Sequence, residues 1–579
     1  MSNLNADSLS SSLLADLERF RSYIIKQDSF ATFTRKNKKV ILFLSLGYLE
    51  KRARVFTAQH VKFDQAWEAV KKKALQFVKL DKTVPSSLKI DMVDEKRTYS
   101  ILEFIKIMTS TRKNYFRRGV SFHPDFKYAF LEQEVNGNSF IQIDSSTNRG
   151  YLNERNIQHY IKTNRPDLKP LAFNAVSQVI AFTTVSFFYQ ENSCWPLKNT
   201  ELDYGRRDTK LDREELKYLI KSGADFLARN VQSNGKFTYG YFSCFDVEIN
   251  FYNMLRHAST VYSMCEVYEC FPDDELMSAI KKSLNYLIAE GIAIVPSGHA
   301  QAAYVIDGMG PGEQEIKLGA NAAAILALTK YMEITGDYQY LPIARQLAHG
   351  IISLQREDGS FRHVLHYPSL ELKEEHRIIY YDGEAAFAMM RLYRVDRNEL
   401  WLQSVERAFE HFIEQEYWKH HDHWLSYCTN ELTEFKPLLR YFQFGLLNVR
   451  DKLDFIYQRE TTYPTFLELT LAAYQMVERL HKTEHRDLLK AESFDEKKLV
   501  TTIHKRAEYQ RNGFFYPEMA MYLKNPQRIM GSFFIRHHSF RARIDDVEHN
   551  LSGYCQYYKQ FYQQEQELPN RSFPEELVT

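Results

Sequence analysis

The sequence predicts two regions: a mixed α+β region, followed by an all-helical region built as a closed ring of helical hairpins. Residues 1–200 mix short β-rich runs with a few helices. From Leu211 onward, amphipathic segments with helical spacing follow one another with almost no strand pattern between them. We therefore expect an α+β domain at residues 1–200 and a ring of about five to six helical hairpins at residues 211–565.

The first region shows alternating and continuous apolar runs that are typical of strands. Residues 40–48 (VILFLSLGY) and 53–59 (ARVFTAQ) predict neighbouring strands, and residues 88–93 and 139–143 predict two more. Residues 63–80 have apolar positions at helical spacing. These elements together predict an α+β domain.

A charged segment with proline and glycine follows this region. Residues 192–210 contain Pro196, Gly205 and many charges. This composition is typical of a linker, so we expect the boundary between the two regions here.

The second region holds ten segments in which apolar residues recur at helical spacing. They span residues 213–231, 249–270, 276–289, 318–335, 341–354, 383–393, 400–416, 466–481, 496–510 and 547–563.

A turn sequence repeats after three of these predicted helices. Gln232, Gln355 and Gln510 each begin a stretch that continues with polar residues, a glycine and an aromatic residue. Glycine at that point supplies the left-handed conformation that ends a helix. The repeat predicts hairpins in which one helix faces inward and one outward, and the small-residue segment 318–328 (LGANAAAILAL) suits an inner position.

Composition excludes several classes of function. The formal net charge is +1, so no global field attracts nucleic acid or an anionic membrane. The most apolar run, residues 171–189, is interrupted by six polar residues and is too polar for a membrane span. The six cysteines form no CxxC pair, and residues 1–16 have no secretory pattern. We expect a cytoplasmic protein.

The repeated turns, the stretch LGANAAAILALTKYMEITGD and the stretch YYDGEAAFAMMRLY carry a family resemblance. Together they resemble the (α/α) toroids of the six-hairpin glycosidase-like superfamily. The layout is similar to the C-terminal domain of D-glucuronyl C5-epimerases and to N-acylglucosamine 2-epimerases. The resemblance covers roughly residues 211–565 and implies a toroid fold and a sugar substrate. It carries over no catalytic motif.

In a ring of this kind, a pocket forms where the inner helices begin, so polar residues at predicted helix starts are the candidates for a site. Glu248, Tyr252 and Arg256 share one helical face if that helix begins near Glu248. Arg256 with His257 would hold a uronate carboxylate, Glu248 would act as acid or base, and Tyr252 would move a proton. The alternative is a helix-capping acid with a core arginine and histidine.

Two further helix starts carry glutamates. Glu313 lies in a glycine-rich loop with Glu315, and the pair suits acid–base chemistry or simply favours a helix N-terminus. Glu384 follows Asp382, which we expect to cap a helix, and the small residues behind Glu384 leave room for a pocket.

The densest polar cluster lies at residues 536–550. Arg541 and Arg543 would clamp an anion, and Asp546 with His549 would form an oriented base. The alternative is a salt-bridge network between helices. We expect Arg541→Ala to abolish activity while leaving the thermal melt nearly unchanged.

Metal ligation is not predicted. The run His420, His421, Asp422 and His423 has neighbouring residues that do not face one ion, so we interpret it as a solvated helix end. No cofactor is expected.

These patterns favour a carbohydrate-active enzyme that acts on a sugar or a uronate-containing glycan by acid–base chemistry, as an epimerase or in the manner of a glycoside hydrolase. One alternative is a non-catalytic scaffold that binds a glycan or a protein, with polar clusters at residues 115–119 and 132–138 of the first region as a docking surface. Another is a cyclase acting on a peptide or an isoprenoid. The expected partners are a sugar or glycan, and a protein partner through the N-terminal domain is a further option.

Overall fold

The computed structural model of the chain describes residues 6–200, 202–297, 300–308 and 314–563. Its contacts divide the chain into two compact units. Unit 1 comprises Met1–Lys210, Gly240–Ile249 and Asn512–Ala542, and unit 2 comprises Leu211–Tyr239, Asn250–Arg511 and Arg543–Thr579. Two segments that the sequence analysis placed in the helical ring therefore belong to unit 1.

Up to residue 210 the chain alternates helices with strands. The helices are α1 (Ala6–Ile24), α2 (Asp28–Lys36), α3 (Phe63–Asp81), α4 (Ile101–Ser110), α5 (Glu132–Gly137) and α6 (Glu154–Asn164). The strands are β1 (Val40–Gly47), β2 (Arg54–His60), β3 (Ser87–Ser100), β4 (Gly119–Ser121), β5 (Ala129–Phe130), β6 (Ile141–Ile143), β7 (Gly150–Leu152), β8 (Gln178–Gln190) and β9 (Ser193–Leu197).

From residue 211 onward helices dominate. They are α7 (Arg213–Arg229), α8 (Met254–Cys270), α9 (Asp274–Gly291), α10 (Leu318–Thr335), α11 (Leu341–Leu354), α12 (Tyr380–Asp396), α13 (Glu399–Glu414), α14 (His423–Phe435), α15 (Leu439–Arg450), α16 (Leu453–Gln458), α17 (Thr465–Leu480), α18 (Leu488–Ala491), α19 (Glu496–Gln510), α20 (Pro517–Ala520), α21 (Pro526–Ile529) and α22 (Ile544–Tyr558). The strands are β10 (Gly240–Phe242), β11 (Val247–Glu248), β12 (Ile292–Ser297), β13 (Ala300–Asp307), β14 (Glu315–Lys317), β15 (Val364–His366), β16 (Leu372–Glu374) and β17 (Arg541–Arg543).

Unit 1 is built on an antiparallel sheet in the order β2-β1-β3-β8-β4-β5, with β9 beside β8. Strand β1 is buried along its whole length, which explains its continuous apolar sequence. Alternate residues face opposite sides: Leu42 and Leu44 pack with Trp67 of α3, whereas Phe43 packs with Tyr522. Unit 1 is thus the predicted α+β domain.

The predicted linker at residues 192–210 is wrong in its first part. Residues 193–197 form strand β9, which pairs with β8 so that Trp195 lies opposite Phe188. The apolar side chains of Trp195 and Leu197 pack into the sheet's second core. Further along, Arg207 forms an ion pair with Glu518 at 2.8 Å, so the segment is part of unit 1 rather than a free tether.

Unit 2 is an (α/α) toroid of six hairpins, as predicted. Six inner helices pack side by side in the order α8, α10, α12, α14, α17 and α22, and α22 packs back on α8 to close the ring. Their outer partners are α9, α11, α13, α15, α19 and α7 respectively. Helix α7, the first helix of unit 2 in sequence, packs on α22, the last inner helix, so the two ends of the ring in sequence meet in one helix pair.

The inner helices explain the small-residue pattern of α10. Every residue from Leu318 to Met332 is buried, which only a helix surrounded by neighbours allows. The repeated turns have the expected positive φ at two sites, with Gly235 at 91° and Gly359 at 87°. Their predicted role in ending the helices is wrong, because α7 ends at Arg229 and α11 at Leu354, several residues earlier. At the third site, Gly513 ends a short 3-10 turn within unit 1 and has no positive φ.

Unit 2 also contains strands that the sequence analysis did not predict. Strands β12 to β16 form an antiparallel sheet in chain order. Strand β13 packs on α11, which gives its apolar residues, such as Tyr304 and Val305, a buried surface. Within the described residues, no helix is long and apolar enough to cross a membrane.

Candidate functional site

The inner helices begin at the same end of the ring, so side chains from their first turns meet there. Arg256 in the first turn of α8 forms an ion pair with Asp545 at the start of α22, with 2.9 Å between Nε and Oδ2. His423, the first residue of α14, has its ring centroid 5.5 Å from that of His549 in α22. We call this end of unit 2 the ring mouth, defined by Arg256, Glu384, His423, Glu468, Asp545, Glu548 and His549.

Glu384 of α12 is the most isolated acid of the ring mouth. Its side chain is buried, and Oε2 accepts no hydrogen bond from the described residues. Room for it exists because α10 has Gly319 here, where a Cβ would lie 2.0 Å from Oε2. Burial, and then the negative charge of Asp422, raise the pKa of Glu384 well above its usual value. Burial of this kind favours the protonated form of the carboxyl group, which can donate its proton.

His549 and Glu468 form an ion pair on the adjacent helices α22 and α17. His549 Nδ1 lies 3.1 Å from Glu468 Oε2 and 3.5 Å from Glu548 Oε1. Tyr427 donates a hydrogen bond to the other oxygen of Glu468 at 3.1 Å, and Gln556 donates to the Tyr427 hydroxyl at 2.6 Å. This chain of contacts fixes the orientation of the imidazole and leaves Nε2 as the nitrogen that can face a ligand.

Charge determines the protonation of this pair. Burial lowers the pKa of His549, but the negative charges of Glu548 and Glu468 outweigh it and raise that pKa to about 10. Burial raises the pKa of Glu548 to about 8 in spite of the imidazolium beside it. At neutral pH His549 is therefore an imidazolium that can act as an acid.

His423 offers a second imidazole at the same place. Its Nδ1 lies 3.2 Å from Oδ1 of Asp422, which also caps α14 by accepting hydrogen bonds from Trp424 N and Leu425 N. Its Nε2 is buried and has no hydrogen-bond partner among the described residues. The ring of Tyr380 packs edge-on against it at 5.7 Å. An oriented imidazole with one unused nitrogen can accept a proton from a ligand.

The arginines of this end are already bound to acids. Arg256 donates to the Tyr239 hydroxyl at 2.7 Å in addition to its ion pair with Asp545. Arg543 contacts Asp545 at 2.8 Å and Asp546 at 3.2 Å. Asp546 therefore closes the first turn of α22 together with Arg543, and the partner of His549 is Glu468, not Asp546 as the sequence analysis expected.

Tyr252 and His257 are not brought into the ring mouth. Their side chains bond to each other at 2.7 Å, between the Tyr252 hydroxyl and His257 Nδ1. His257 Nε2 lies 2.9 Å from the carbonyl oxygen of Ser283 on the outer helix α9, and the ring is fully buried. Burial lowers the pKa of His257 to about 4. Both nitrogens of His257 thus serve the packing of α8 on α9.

The helix assumed for Glu248 is also wrong. Asn253 caps α8 by accepting a hydrogen bond from Arg256 N, so the helix begins at Met254. Glu248 is exposed on strand β11 of unit 1, and Arg541 begins β17 in the same unit. Glu313 lies outside the described residues. The proposed roles of Glu248, Arg541 and Glu313 stay predictions.

Asp382 does not cap α12, because that helix begins two residues earlier at Tyr380. Its carboxylate instead lies 2.9 Å from His363 Nε2. His363 Nδ1 accepts a hydrogen bond from Arg377 N, so this histidine and Asp382 hold the loop before α12.

Sequence reasoning missed His423 and Glu468. The interpretation of residues 420–423 as a solvated helix end is wrong for His423, which is 4 % exposed. Helix α14 was not predicted, although its apolar residues recur at helical spacing, because the polar run at residues 419–423 conceals its start. The usable signal was Asp422 as a helix cap directly before a histidine and a tryptophan.

Two groups of side chains in unit 2 have donor atoms close enough for a metal ion. One comprises His363, His376 and Asp382, and the other His423, Glu468 and His549, with their donor atoms within 4.8 Å of one another. In the first group both nitrogens of His363 already have protein partners.

The chain matches no protein-family model. A comparison with curated proteins finds no match either. Solved structures match the chain at low identity. A sugar epimerase from a ruminal bacterium is 14 % identical with a TM-score of 0.46, covering 60 % of this chain and 98 % of that chain.

Two further structures are similar to the same extent. A cellobiose 2-epimerase from Bacillus thermoamylovorans is 11 % identical with a TM-score of 0.46, covering 60 % of this chain and 98 % of that chain. A possible GH105 family member from Salmonella enterica is 12 % identical with a TM-score of 0.40, covering 64 % and 100 %. These likenesses carry no functional argument. The assignment of the toroid fold to unit 2 depends on the closed ring of helix contacts.

Proposed function

We propose that unit 2 is a carbohydrate-active enzyme that moves a proton on the carbon next to the carbonyl of a sugar, as an epimerase or aldose–ketose isomerase. One observation carries this proposal: His423 and His549 reach the same place from two inner helices, with ring centroids 5.5 Å apart. Each imidazole is held through Nδ1 by a carboxylate. A pair of oriented acid–base groups is what transfer of a carbon-bound proton needs.

The chemistry conserves atoms and electrons. One imidazole removes the proton from the carbon next to the carbonyl, and the bonding pair forms an enediolate whose oxygen takes a proton from the second imidazole. For the isomer, the first imidazolium then gives its proton to the neighbouring carbon, while the other hydroxyl of the enediol gives its proton to the second imidazole. For the epimer, the second imidazolium gives its proton to the opposite face of the original carbon instead of to the oxygen, and the carbonyl forms again. Imidazolium at His549 places positive charge where the enediolate oxygen develops negative charge.

The charges of the ring mouth favour a sugar without a carboxylate over a uronate. Arg256 is paired with Asp545, and Arg543 with Asp545 and Asp546. Glu384 and Glu548 each present a buried oxygen that has no hydrogen-bond donor among the described residues. Sugar hydroxyls are donors that suit such oxygens, whereas a ligand carboxylate has no hydrogen to donate to them.

A second candidate function is glycoside hydrolysis. It is favoured by the buried acids Glu384 and Glu548, since burial raises both pKa values and keeps a proton available for a leaving oxygen. Here the reaction product, a new reducing end, differs from the product of epimerisation.

Proton nuclear magnetic resonance in heavy water tests the proposal. Purified full-length protein is incubated with a panel of neutral reducing sugars, disaccharides, uronates and aryl glycosides. We expect deuterium at the carbon next to the carbonyl of at least one neutral sugar, together with its epimer or ketose. Release of reducing ends without deuterium would favour the hydrolase, and neither product on any compound would overturn the enzyme proposal in favour of a binding scaffold.

Histidine variants then locate the chemistry. His423→Asn and His549→Asn are each expected to lower the exchange rate by about 100-fold or more, which is the usual contribution of a general acid or base. His481→Asn is the matched control, because His481 is exposed and follows the opposite end of inner helix α17. Circular dichroism confirms that each assayed variant is folded. Equal rates in all three variants would place the chemistry elsewhere.

A further inference from the structure

The ring mouth has a surplus of buried acceptor oxygens. Glu384 Oε2, Asp545 Oδ1 and Glu548 Oε1 are each buried without a hydrogen-bond partner among the described residues. The three side chains are 6 %, 7 % and 1 % exposed. Buried carboxyl oxygens without a donor are rare in folded proteins, so each of these atoms has a proton, a water or a ligand as its complement.

The helices that carry these oxygens, α12 and α22, lie opposite each other in the ring of six inner helices. Their side chains can therefore meet across the ring. Asp545 and Glu548 are three residues apart on α22 and so share one face of that helix. The charges of Glu548, His549 and Arg256 all act on Glu384, although Glu384 lies on the other side of the ring. The three carboxyl groups therefore point toward a common space.

Cations reach only two of the three acids in that space. Asp545 has two cations beside it, Arg256 and Arg543, and Glu548 has His549. Glu384 forms no ion pair with any described residue, and Asp545 and Glu548 each keep one oxygen that accepts no hydrogen bond. A ligand that brings a positive charge with several N–H donors would satisfy more of these oxygens than a neutral hydroxyl, since charge-assisted hydrogen bonds are the stronger ones.

We propose that the ring mouth binds an amino sugar with a free ammonium group, placed between Glu384 and the Asp545–Glu548 face. This rests on the proposed function, because it takes the ligand to be a sugar. The three N–H bonds of an ammonium match the three carboxyl groups in number. Binding of the ammonium ion lowers the pKa of the carboxyl groups around it, so it releases protons.

Calorimetry on the full-length protein tests the proposal with a matched series of ligands. The series compares glucose with glucose that carries an amine at C2, C3 or C6, with N-acetylglucosamine and with glucuronate, at about pH 6.5, where amines are protonated. We expect at least one amine to bind tenfold or more tightly than glucose, and N-acetylglucosamine and glucuronate to bind no better than glucose. Titration in buffers with different ionisation enthalpies is expected to show proton release with the amine only.

Two isosteric variants place the subsite. Glu384→Gln is expected to remove the tenfold preference, so that the amine and glucose bind this variant with the same affinity. Glu333→Gln, at the opposite end of the neighbouring helix α10, is the matched control and is expected to keep the preference. A preference that persists in the Glu384→Gln variant would overturn the proposal.

The outcomes separate this inference from the proposed function. Binding of glucose with no gain for any amine overturns the ammonium subsite and leaves the sugar enzyme standing. Binding of no sugar at all overturns both. Titration with zinc and magnesium is a further part of the experiment. If a metal ion binds in place of the amine and the protein shows no preference among sugars, the occupant is a metal ion and the inference is overturned.

Discussion

The two ends of the inner helices of unit 2 use the same kinds of side chain in opposite ways. At the C-terminal end each of the six inner helices contributes charged residues, and these residues pair in a continuous network. Lys330 contacts Glu269 at 2.9 Å and Glu333 at 3.6 Å, and Arg394 contacts Glu434 at 2.6 Å. The other members of the network are Arg391, Glu431, Arg479 and Lys559.

At the N-terminal end the balance is different. Among the described residues Glu384 forms no ion pair, whereas each acid of the C-terminal network forms at least one. The difference teaches that the ring does not require an unpaired acid for its closure, because the acids of the network at its other end are paired with cations. The unpaired Glu384 is a local cost at the ring mouth, and such costs are typical of sites that bind and react.

The largest loss of stability is expected from disrupting the ion-pair network at the C-terminal ends of the inner helices. Arg391 is mostly buried between Glu333 and Glu431. Arg391→Ala removes the cation and leaves two partly buried carboxylates facing each other, so we expect a loss of about 3–5 kcal/mol of stability. The shift in the midpoint of urea unfolding, followed by circular dichroism, measures it.

Lys498→Ala serves as the control for this variant. Lys498 of the outer helix α19 forms an ion pair with Asp454 of α16, and the two side chains are 35 % and 73 % exposed. Exposed pairs contribute about 0–1 kcal/mol. Should both variants lose the same stability, the network at the C-terminal end would be no more than a set of surface contacts.

A methyl group at the ring mouth is expected to act on function more than on stability. Gly319→Ala would place a Cβ 2.0 Å from Glu384 Oε2 and 2.6 Å from the ring of Tyr381, so both side chains must move. We expect a loss of activity of about tenfold or more, because positioning errors of this size are costly, and a stability loss of about 1–3 kcal/mol. Exchange rates and thermal unfolding measure the two effects.

The same substitution at the other end of α10 is the control. Gly336 caps that helix with φ of 70°, and a Cβ there meets no atom within 4 Å. Gly336→Ala is expected to cost about 1 kcal/mol through backbone strain alone and to keep full activity. Equal activity in the two variants would show that Glu384 has no part in the reaction.

Much of the ring could be predicted from the sequence because outer helices have one apolar face. The bounds of α11, Leu341–Leu354, agree with the predicted segment. Burial on all sides did not prevent prediction, since the inner helix α10 was predicted. Helix α14 was missed although its apolar residues recur at helical spacing, because the polar run at residues 419–423 conceals its start. The strands β12 to β16 were missed because short strands between helices give little periodic signal.

The candidate site was predictable only in part, for a related reason. Glu384 and His549 stand beside recognisable helix starts, and the structure places both at the ring mouth. His423 stands at the end of the polar run that conceals the start of α14, and Glu468 lies three residues into α17 without a capping residue to mark it. Tyr252 and His257 have the residue types of a site, yet the true start of α8 at Met254 turns His257 toward α9.

The smallest effect is expected from replacing a glutamate by glutamine, made once at each end of the inner helices. The raised pKa of Glu384 means that the folded state holds its proton where the unfolded chain has released it. The unfolded state then binds fewer protons, so this group lowers stability as pH rises above its unfolded pKa of about 4.5. Glu384→Gln is therefore expected to add about 1–2 kcal/mol at pH 8 and nothing at pH 4.

Glu333→Gln should have the opposite sign, because it removes the carboxylate that pairs with Lys330 and Arg391. Urea unfolding of both variants and of the unaltered chain, repeated across this pH range, gives the two signs directly. A Glu384→Gln variant that loses stability at pH 8 would mean that the carboxylate of Glu384 is held by a partner in the folded protein. The contrast between a paired and an unpaired end of the ring would then be lost.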